Sequence, residues 1–521
     1  MSKKKKNILL FLLIGFSVYC SLIVGESVDE AHGLKFGKIT LDYLFSLGQI
    51  NRTSEMREYY SPIYWSLLYF FTEVFPAKYQ VQGSHIINLF FSLGAIFGIS
   101  KLCKELFNRK LSQIVFLVLY FYPIFFGHMS INNKDTIISF CHVWIICLLF
   151  KYLKNQRVKE KANSYIILIG ILAAIATGIN MVFLGSQIPI FIIILLEVFY
   201  FKKIIKNNFS IKIFFIDILK CFVTFYLLLS LFWIDIHQNI FLQPFILLQE
   251  WISPDLISGW RHNLVNGEYY LSSEVPNFYF VINFFYKTPE YVLISYCIFV
   301  ILIFSRGKFF IERFYCFNYK LYFLLMLLIF PSLIQFILPF TIYDGLRLFL
   351  WAIPYTCIVP ALTIYYLIEN FHYIKSKVTS IFLLSFFVFY FYSFVTITPY
   401  HYTYLNLFNG KKENRYKKFE NDYWGTSLKE LLTLVKFKTN NEIKIATCGI
   451  NDSITKRYFK MIKTDLKYKF VSAEDADYIL MSNRVAFTFD DTKINCFDKY
   501  PGTDIAVVKR NGLILSTIRK I

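Results

Sequence analysis

The sequence offers no glycine-rich phosphate loop, no Cys/His run at zinc or redox spacing, and no internal repeat. ATP-driven chemistry, a local metal or dithiol centre and a solenoid therefore have no signature here. Pairs of Gly/Pro-broken apolar stretches in matching halves, the mark of many secondary transporters, are lacking as well. Acid is scarce: 35 Asp and Glu face 55 Lys and Arg, a formal net charge of +20. In a soluble chain that excess would point to nucleic acid. Here the basic residues sit in short clusters between long apolar runs, which reads as orientation in a bilayer and leaves no nucleic-acid partner. The ten cysteines are scattered, and Cys141, Cys147, Cys221, Cys297 and Cys357 lie inside apolar runs as small packing residues. Cys448 and Cys496 alone fall in the polar tail, where a disulfide is open to them in an oxidising compartment.

What is abundant is apolar surface. Hydrophobic residues make up 56% of the 521 positions and aromatic ones 20%, more than a soluble core can hide. Stretches near the ~20 residues a helix needs to cross hydrocarbon occur at about 8–25, 84–100, 111–127, 136–151, 163–180, 187–202, 210–233, 290–305, 321–340, 349–368 and 378–397. Lys3 to Lys6 precede the first run, and no small-x-small cleavage pattern follows it, so it reads as a retained anchor. With the N-terminus cytoplasmic, basic clusters (Lys101/Lys104/Arg109/Lys110, Lys151/Lys154/Arg157/Lys159/Lys161, Lys202/Lys203/Lys206, Arg306/Lys308/Arg313, Lys375/Lys377) fall on alternate loops. The expected fold is an all-α polytopic membrane protein of about eleven transmembrane helices, N-terminus in and C-terminus out.

Three outer segments are too long for plain turns: 26–83, 234–289 and the tail from 398. The first holds amphipathic, aromatic stretches such as Tyr59 to Trp65 that suit interfacial helices. The tail has strand-like pieces at Ile443–Cys448, Tyr478–Met481 and Ile505–Val508, so a small α/β domain is expected there. The domain division is 1–397 in the membrane and 398–521 outside it.

Polar chemistry gathers on that outer side. Asp29, Glu30 and His32 follow the first run directly, and carboxylates at a membrane boundary invite a functional reading. Read alone, they fit solvated loop acids balancing Lys35 and Lys38 equally well. Asp135 sits beside Lys134 and after His128 in the short loop before the fourth run; a helix-start acid favoured by the macrodipole explains it as well as a catalytic acid does. Tyr343-Asp344-Gly345-Leu346-Arg347 interrupts apolar sequence, and an arginine there suits phosphate or a local pair with Asp344. Arg261 and His262 form a fourth polar cluster.

Together these blocks resemble the lipid-phosphate-dependent integral membrane glycosyltransferases of the C superfamily (GT-C), in particular the bacterial branch similar to protein O-mannosyltransferases. Asp29-Glu30-x-His32 resembles the acidic motif of their first outer loop. Asn132-Asn133-Lys134-Asp135 resembles their Asn-Pro-Lys-Asp run, with Asn133 in place of proline. Tyr343 to Leu350 resembles Tyr-Asp-Gly-x-Arg-His-Phe-Leu, with Leu348 where histidine is usual. Pro399 to Asn406 and Asp422-Tyr423-Trp424-Gly425 resemble the blocks that join the last span to the outer tail.

The resemblance implies an inverting hexosyl transfer from a polyprenyl-phosphate donor to an acceptor hydroxyl on a glycan, lipid or protein, at a bacterial inner membrane. It implies Asp29 as base, Glu30 and Asp135 as the catalytic acids that position the acceptor or, in metal-using relatives, a divalent cation, and Arg347 on the donor phosphate with Arg261 and His262 as further candidates. His32, His128, Lys134, Tyr343 and Asp344 are then acceptor or supporting residues. The branches of the family differ in metal need, so a divalent metal ion stays open as cofactor, with Asp29 and Asp135 as its candidate ligands. The rival reading is a transporter or flippase of lipid-linked saccharides. It calls for a mid-span polar site, whereas the charges here gather at the interface.

Overall fold

The structure is a computed structural model that describes residues 3–50, 61–205, 209–251, 262–337, 341–370, 377–437, 442–485 and 493–521. Eight helices among them are long and apolar enough to cross a membrane, and three apolar helices are shorter. The chain is a multi-pass membrane protein.

The first eight helices build the half of the bundle that carries the acidic blocks: α1 (Lys3–Ile23), α2 (Val28–Phe45), α3 (Ile63–Thr72), α4 (Gln80–Leu106), α5 (Arg109–Tyr120), α6 (Pro123–His128), α7 (Asp135–Asn155) and α8 (Lys159–Ile179). The run expected at 111–127 is not one helix. Pro123 has no N–H to give the preceding turn, and it opens α6 as a new short helix after an extended Tyr122. The run expected at 349–368 is also broken, into a 3₁₀ turn at Arg347–Phe349, a short helix Ile353–Thr356 and a longer one Ile358–Glu369. The second break carries Arg347 itself, and the first ends a few residues before Asp135 opens α7.

Within the outer segment expected at 26–83, Val28–Phe45 form α2, whose start is fixed by a capping box between Ser27 and Glu30. Of the aromatic stretch beyond it, Tyr59 and Tyr60 lie outside the described residues. Ser61 to Trp65 lead into α3, which packs tightly on α2 because Gly33 and Gly37 stand one turn apart. A Cβ on Gly37 would come within 2.1 Å of the Trp65 carbonyl oxygen, so only glycine permits this approach.

The tail forms a five-stranded sheet of order β4-β3-β5-β7-β6, with β3 (Ile443–Cys448), β4 (Tyr468–Phe470), β5 (Tyr478–Ser482), β6 (Thr503–Arg510) and β7 (Leu513–Lys520). β3 pairs in parallel with β4 and β5, while β7 runs antiparallel to β5 and β6. The helix Asp452–Ile462 connects β3 to β4. Cys448 and Cys496 are joined by a disulfide, their Cα atoms 5.7 Å apart, which ties the end of β3 to the chain beyond β5. A separate hairpin of β1 (His262–Val265) and β2 (Glu268–Leu271) turns on Asn266 and Gly267, both at positive φ, as a two-residue turn of the primed kind requires.

The sheet rests on the end of the bundle. Arg457 pairs with the buried Glu26, and the Glu26 N–H donates to the Tyr458 hydroxyl at 2.9 Å, so the Asp452–Ile462 helix clasps the junction of α1 and α2. The β1–β2 hairpin is held from the other side: Val265 bridges to Phe419, and the Gly267 N–H donates to the Lys418 carbonyl at 3.0 Å.

Candidate functional site

Three segments far apart in sequence meet at Arg347. Its Nε donates to Asp135 at 3.0 Å, its Nη1 to Asp344 at 2.8 Å, and its Nη2 to Asp29. The guanidinium lies over Trp424, 4.6 Å from the ring centre, with Tyr343 at 5.7 Å. A planar fork with donors in three directions can serve three carboxylates at once; a lysine ammonium on the same stem could not keep all three. Burial works against the charge on Arg347, but Asp29, Asp135, Tyr343 and Asp344 outweigh it and hold the group protonated.

Each carboxylate is aimed by its own local structure. Asp29 stands in the first turn of α2, where its backbone carbonyl accepts from Asn133 at 3.4 Å. Asp135 opens α7. The Asn132 side chain accepts from the Lys134 and Asp135 N–H groups at 3.0 and 2.8 Å and donates to the Asp135 carboxylate at 3.0 Å. Asp344 and Gly345 are both at positive φ, which turns the chain sharply; Asp tolerates this better than most residues and Gly freely. The Gly345 N–H donates to the buried Tyr279 hydroxyl at 2.8 Å.

Accessibility separates the three acids. The side chain of Asp29 is 20% exposed, that of Asp135 9% and that of Asp344 0%, while Arg347 itself is 5% exposed. Lys134, 25% exposed, has its ammonium 3.7 Å from the second Asp29 oxygen and over the Trp65 ring. An incoming molecule therefore meets Asp29 and Lys134 first.

A second arginine comes from the tail. Arg484, just past β5, donates to the other Asp344 oxygen at 3.0 Å and to the Tyr423 carbonyl at 2.7 Å, and its Nη2 lies 3.8 Å from Glu420. Lys287 is buried over the Phe419 ring. Burial pushes its pKa down to about 8, with Glu420 and Asp344 opposing the fall. Four cations (Arg347, Arg484, Lys134, Lys287) thus face four carboxylates (Asp29, Asp135, Asp344, Glu420). Burial, Arg347 and Lys287 hold His128 well below the usual histidine range, so its imidazole is neutral; its Nε2 meets the Tyr423 hydroxyl at 2.8 Å.

Several residues expected together are not. Glu30 faces away from Arg347: its carboxylate accepts from the Ser27 N–H at 2.8 Å and meets His85 Nε2 at 3.0 Å, fully buried. Successive side chains on a helix point about 100° apart, so Asp29 and Glu30 cannot face the same cavity. Glu30 caps α2. His32 is exposed and packs near Phe36 on α2. His262 opens the β1–β2 hairpin, with no hydrogen bond or ion pair to Arg347 among the described residues. Arg261 lies outside the described residues. The two-carboxylate seat for a divalent cation does not fit either. The Arg347 guanidinium stands between Asp29 and Asp135 and takes an oxygen of each.

Sequence reasoning missed Arg484, Lys287 and Glu420. Arg484 follows an ordinary strand in a tail without a recognised motif, so nothing local marked it. Lys287 carried a weak signal, as a lone lysine closing an apolar aromatic helix (Tyr279–Lys287).

By sequence, the chain matches no family model and no curated relative. By structure, it is similar to ArnT from Cupriavidus metallidurans in the apo state, with a TM-score of 0.50 and 11% identity over 99% of this chain and 98% of that one. It is also similar to the same protein bound to undecaprenyl phosphate (TM-score 0.47, 10% identity, 98% of each chain). A third similar structure is the archaeal oligosaccharyltransferase AglB from Archaeoglobus fulgidus with an inhibitory peptide and a dolichol-phosphate (TM-score 0.49, 9% identity, 92% of this chain and 70% of that one). The likeness to apo ArnT runs nearly the length of both chains, and it shows that the two share a fold.

Proposed function

We propose that the protein transfers a sugar from a polyprenyl-phosphate carrier to an acceptor hydroxyl at the outer face of a bacterial inner membrane. Asp29 is the base. The observation that carries this reading is the Arg347 centre, where one accessible carboxylate, Asp29, is backed by two buried ones at the end of a GT-C helical bundle. A base must reach the acceptor, and Asp29 is the most exposed of the three acids.

In the reaction, the Asp29 carboxylate takes the proton of the acceptor hydroxyl as its oxygen attacks the anomeric carbon. The bond from that carbon to the carrier phosphate breaks, and its electron pair leaves on the phosphate oxygen, inverting the anomeric centre. Charge grows on the phosphate as the bond breaks, so fixed cations beside it lower the barrier. Lys134 is the accessible cation. Arg347 uses three of its five N–H groups on carboxylates, leaving two to meet a phosphate. Asp135 and Asp344 fix the guanidinium and do not contact substrate. No metal is assigned a part.

The membrane unit (residues 1–397) supplies Asp29, Asp135, Asp344 and Arg347, and the outer tail (398–521) supplies Arg484, Glu420 and Trp424. The donor is a hexosyl or similar polyprenyl-phosphate sugar; the acceptor is a glycan, lipid or protein. The test uses protein purified in detergent, a panel of polyprenyl-phosphate sugars, and Asp29→Asn. The variant is expected to lose turnover by about 10²–10⁴-fold while still binding donor. Full activity in Asp29→Asn would remove Asp29 as the base, and translocation of intact lipid-linked saccharide in vesicles holding the reconstituted protein, without transfer, would favour a flippase.

A further inference from the structure

Away from Arg347, a cleft of about 510 Å³ opens between α1, the end of the helix Lys377–Thr396 and the tail. Its lower wall is apolar: Phe16, Tyr19 and Ile23 of α1 face Val395. Tyr19, Ile23 and Val395 are exposed on helices long or apolar enough for the membrane, so this wall is open to lipid chains. Its upper end, at the level of the helix ends, is polar and cationic, with Thr398, Tyr400, Lys429 and Arg510.

Two features of the upper end, Thr398 and Lys429, call for an anion, and a third, Arg510, sets its charge. The Thr398 hydroxyl is buried and has no hydrogen-bond partner. Among the described residues the Lys429 ammonium donates only to the Leu22 carbonyl, at 3.4 Å, and burial pushes its pKa down, a cost that a nearby anion would relieve. Arg510 lies 5.0 Å from the centre of the Tyr400 ring and pairs with Glu430, which also accepts from the Tyr400 hydroxyl at 2.9 Å. Glu430 neutralises Arg510, so the polar end carries the single positive charge of Lys429.

We infer that this cleft binds a membrane phospholipid with an anionic headgroup, its phosphodiester held by Lys429, Arg510 and Thr398 and its chains lying along α1. A phosphodiester carries one negative charge and matches the one uncompensated cation. A phosphomonoester such as a polyprenyl phosphate carries more, ~1.5 to 2 charges at neutral pH, and matches it less well. The binding is independent of the Asp29 chemistry.

Native mass spectrometry of the full chain in detergent tests this, with phosphatidylglycerol, phosphatidylcholine and polyprenyl monophosphate added in turn. Phosphatidylglycerol is expected to be retained over phosphatidylcholine. Lys429→Glu should weaken its retention by about tenfold, the loss of one charge-assisted contact, while Lys429→Arg keeps it. Val395→Trp, which fills the apolar wall from a lipid-facing position, should weaken retention without touching the polar end. Equal retention of phosphatidylglycerol and phosphatidylcholine overturns the inference. So does retention of phosphatidylglycerol unchanged in Lys429→Glu and Val395→Trp, or polyprenyl monophosphate outcompeting phosphatidylglycerol.

Discussion

Replacing Arg347 with methionine keeps most of the side-chain bulk and removes the cation shared by Asp29, Asp135 and Asp344. The three carboxylates do not suffer equally. Asp29 is partly exposed and keeps Lys134; Asp135 keeps the Asn132 amide; Asp344, fully buried, keeps Arg484. Each retains one partner, so the cost is that of breaking one buried ionic centre, about 3–5 kcal/mol, and not three times that. The balance of four cations and four carboxylates becomes three against four. Removing one negative charge should therefore restore part of the loss: the double variant Arg347→Met/Asp135→Asn is expected to regain about 1–3 kcal/mol over Arg347→Met. The assay is the unfolding midpoint in one detergent at fixed pH for wild type, both single variants and the double variant. Arg347→Lys, which keeps the charge and loses the fork, should fall between wild type and Arg347→Met. Donor transfer should fall in Arg347→Met and stay low in the double variant, because stability returns and the phosphate cation does not. Strictly additive midpoints would refute the argument, since Arg347 and Asp135 would then not be coupled as their 3.0 Å contact requires.

Arg484→Met is expected to lower kcat more than it raises KM, with Arg484→Lys recovering part, because Arg484 acts through Asp344 on the orientation of Arg347. Lys287 titrates near pH 8 in the fold against 10.5 when unfolded. Between those values the unfolded chain binds more protons, so this residue's contribution to stability rises with pH from 8 to 10.5, by roughly 3 kcal/mol in full. Comparing unfolding at pH 8 and pH 10, Lys287→Met should show a smaller rise than wild type. Cys448→Ser/Cys496→Ser opens a loop spanning 48 positions, worth about 3–4 kcal/mol of chain entropy, so the tail should be proteolysed sooner in the variant or after reduction.

The sequence by itself determined that this is a multi-pass membrane protein and marked the neighbourhood of its candidate site. Apolar run length and the scarcity of acid are local properties, and a bilayer reads them directly. Asp29, Asp135, Asp344 and Arg347 stood out because a charge beside an apolar run is costly and conspicuous. Helix interruptions were less legible: the stretch 111–127 is apolar from Ile114 onward, and its break at Pro123 follows from backbone hydrogen bonding that hydropathy does not register.

Only the tertiary structure decided which acids act together. Asp29 and Glu30 are neighbours in the chain, but helical rotation sends one to Arg347 and the other to cap α2 beside His85. Arg347 meets Asp29 across 318 positions and Asp135 across 212, and Arg484 reaches Asp344 across 140. Such pairings depend on how α2, α7, the Tyr343–Arg347 turn and the strand before Arg484 pack against one another. No local pattern encodes them, because a charged side chain's partner is whatever the fold brings within a few ångströms of it.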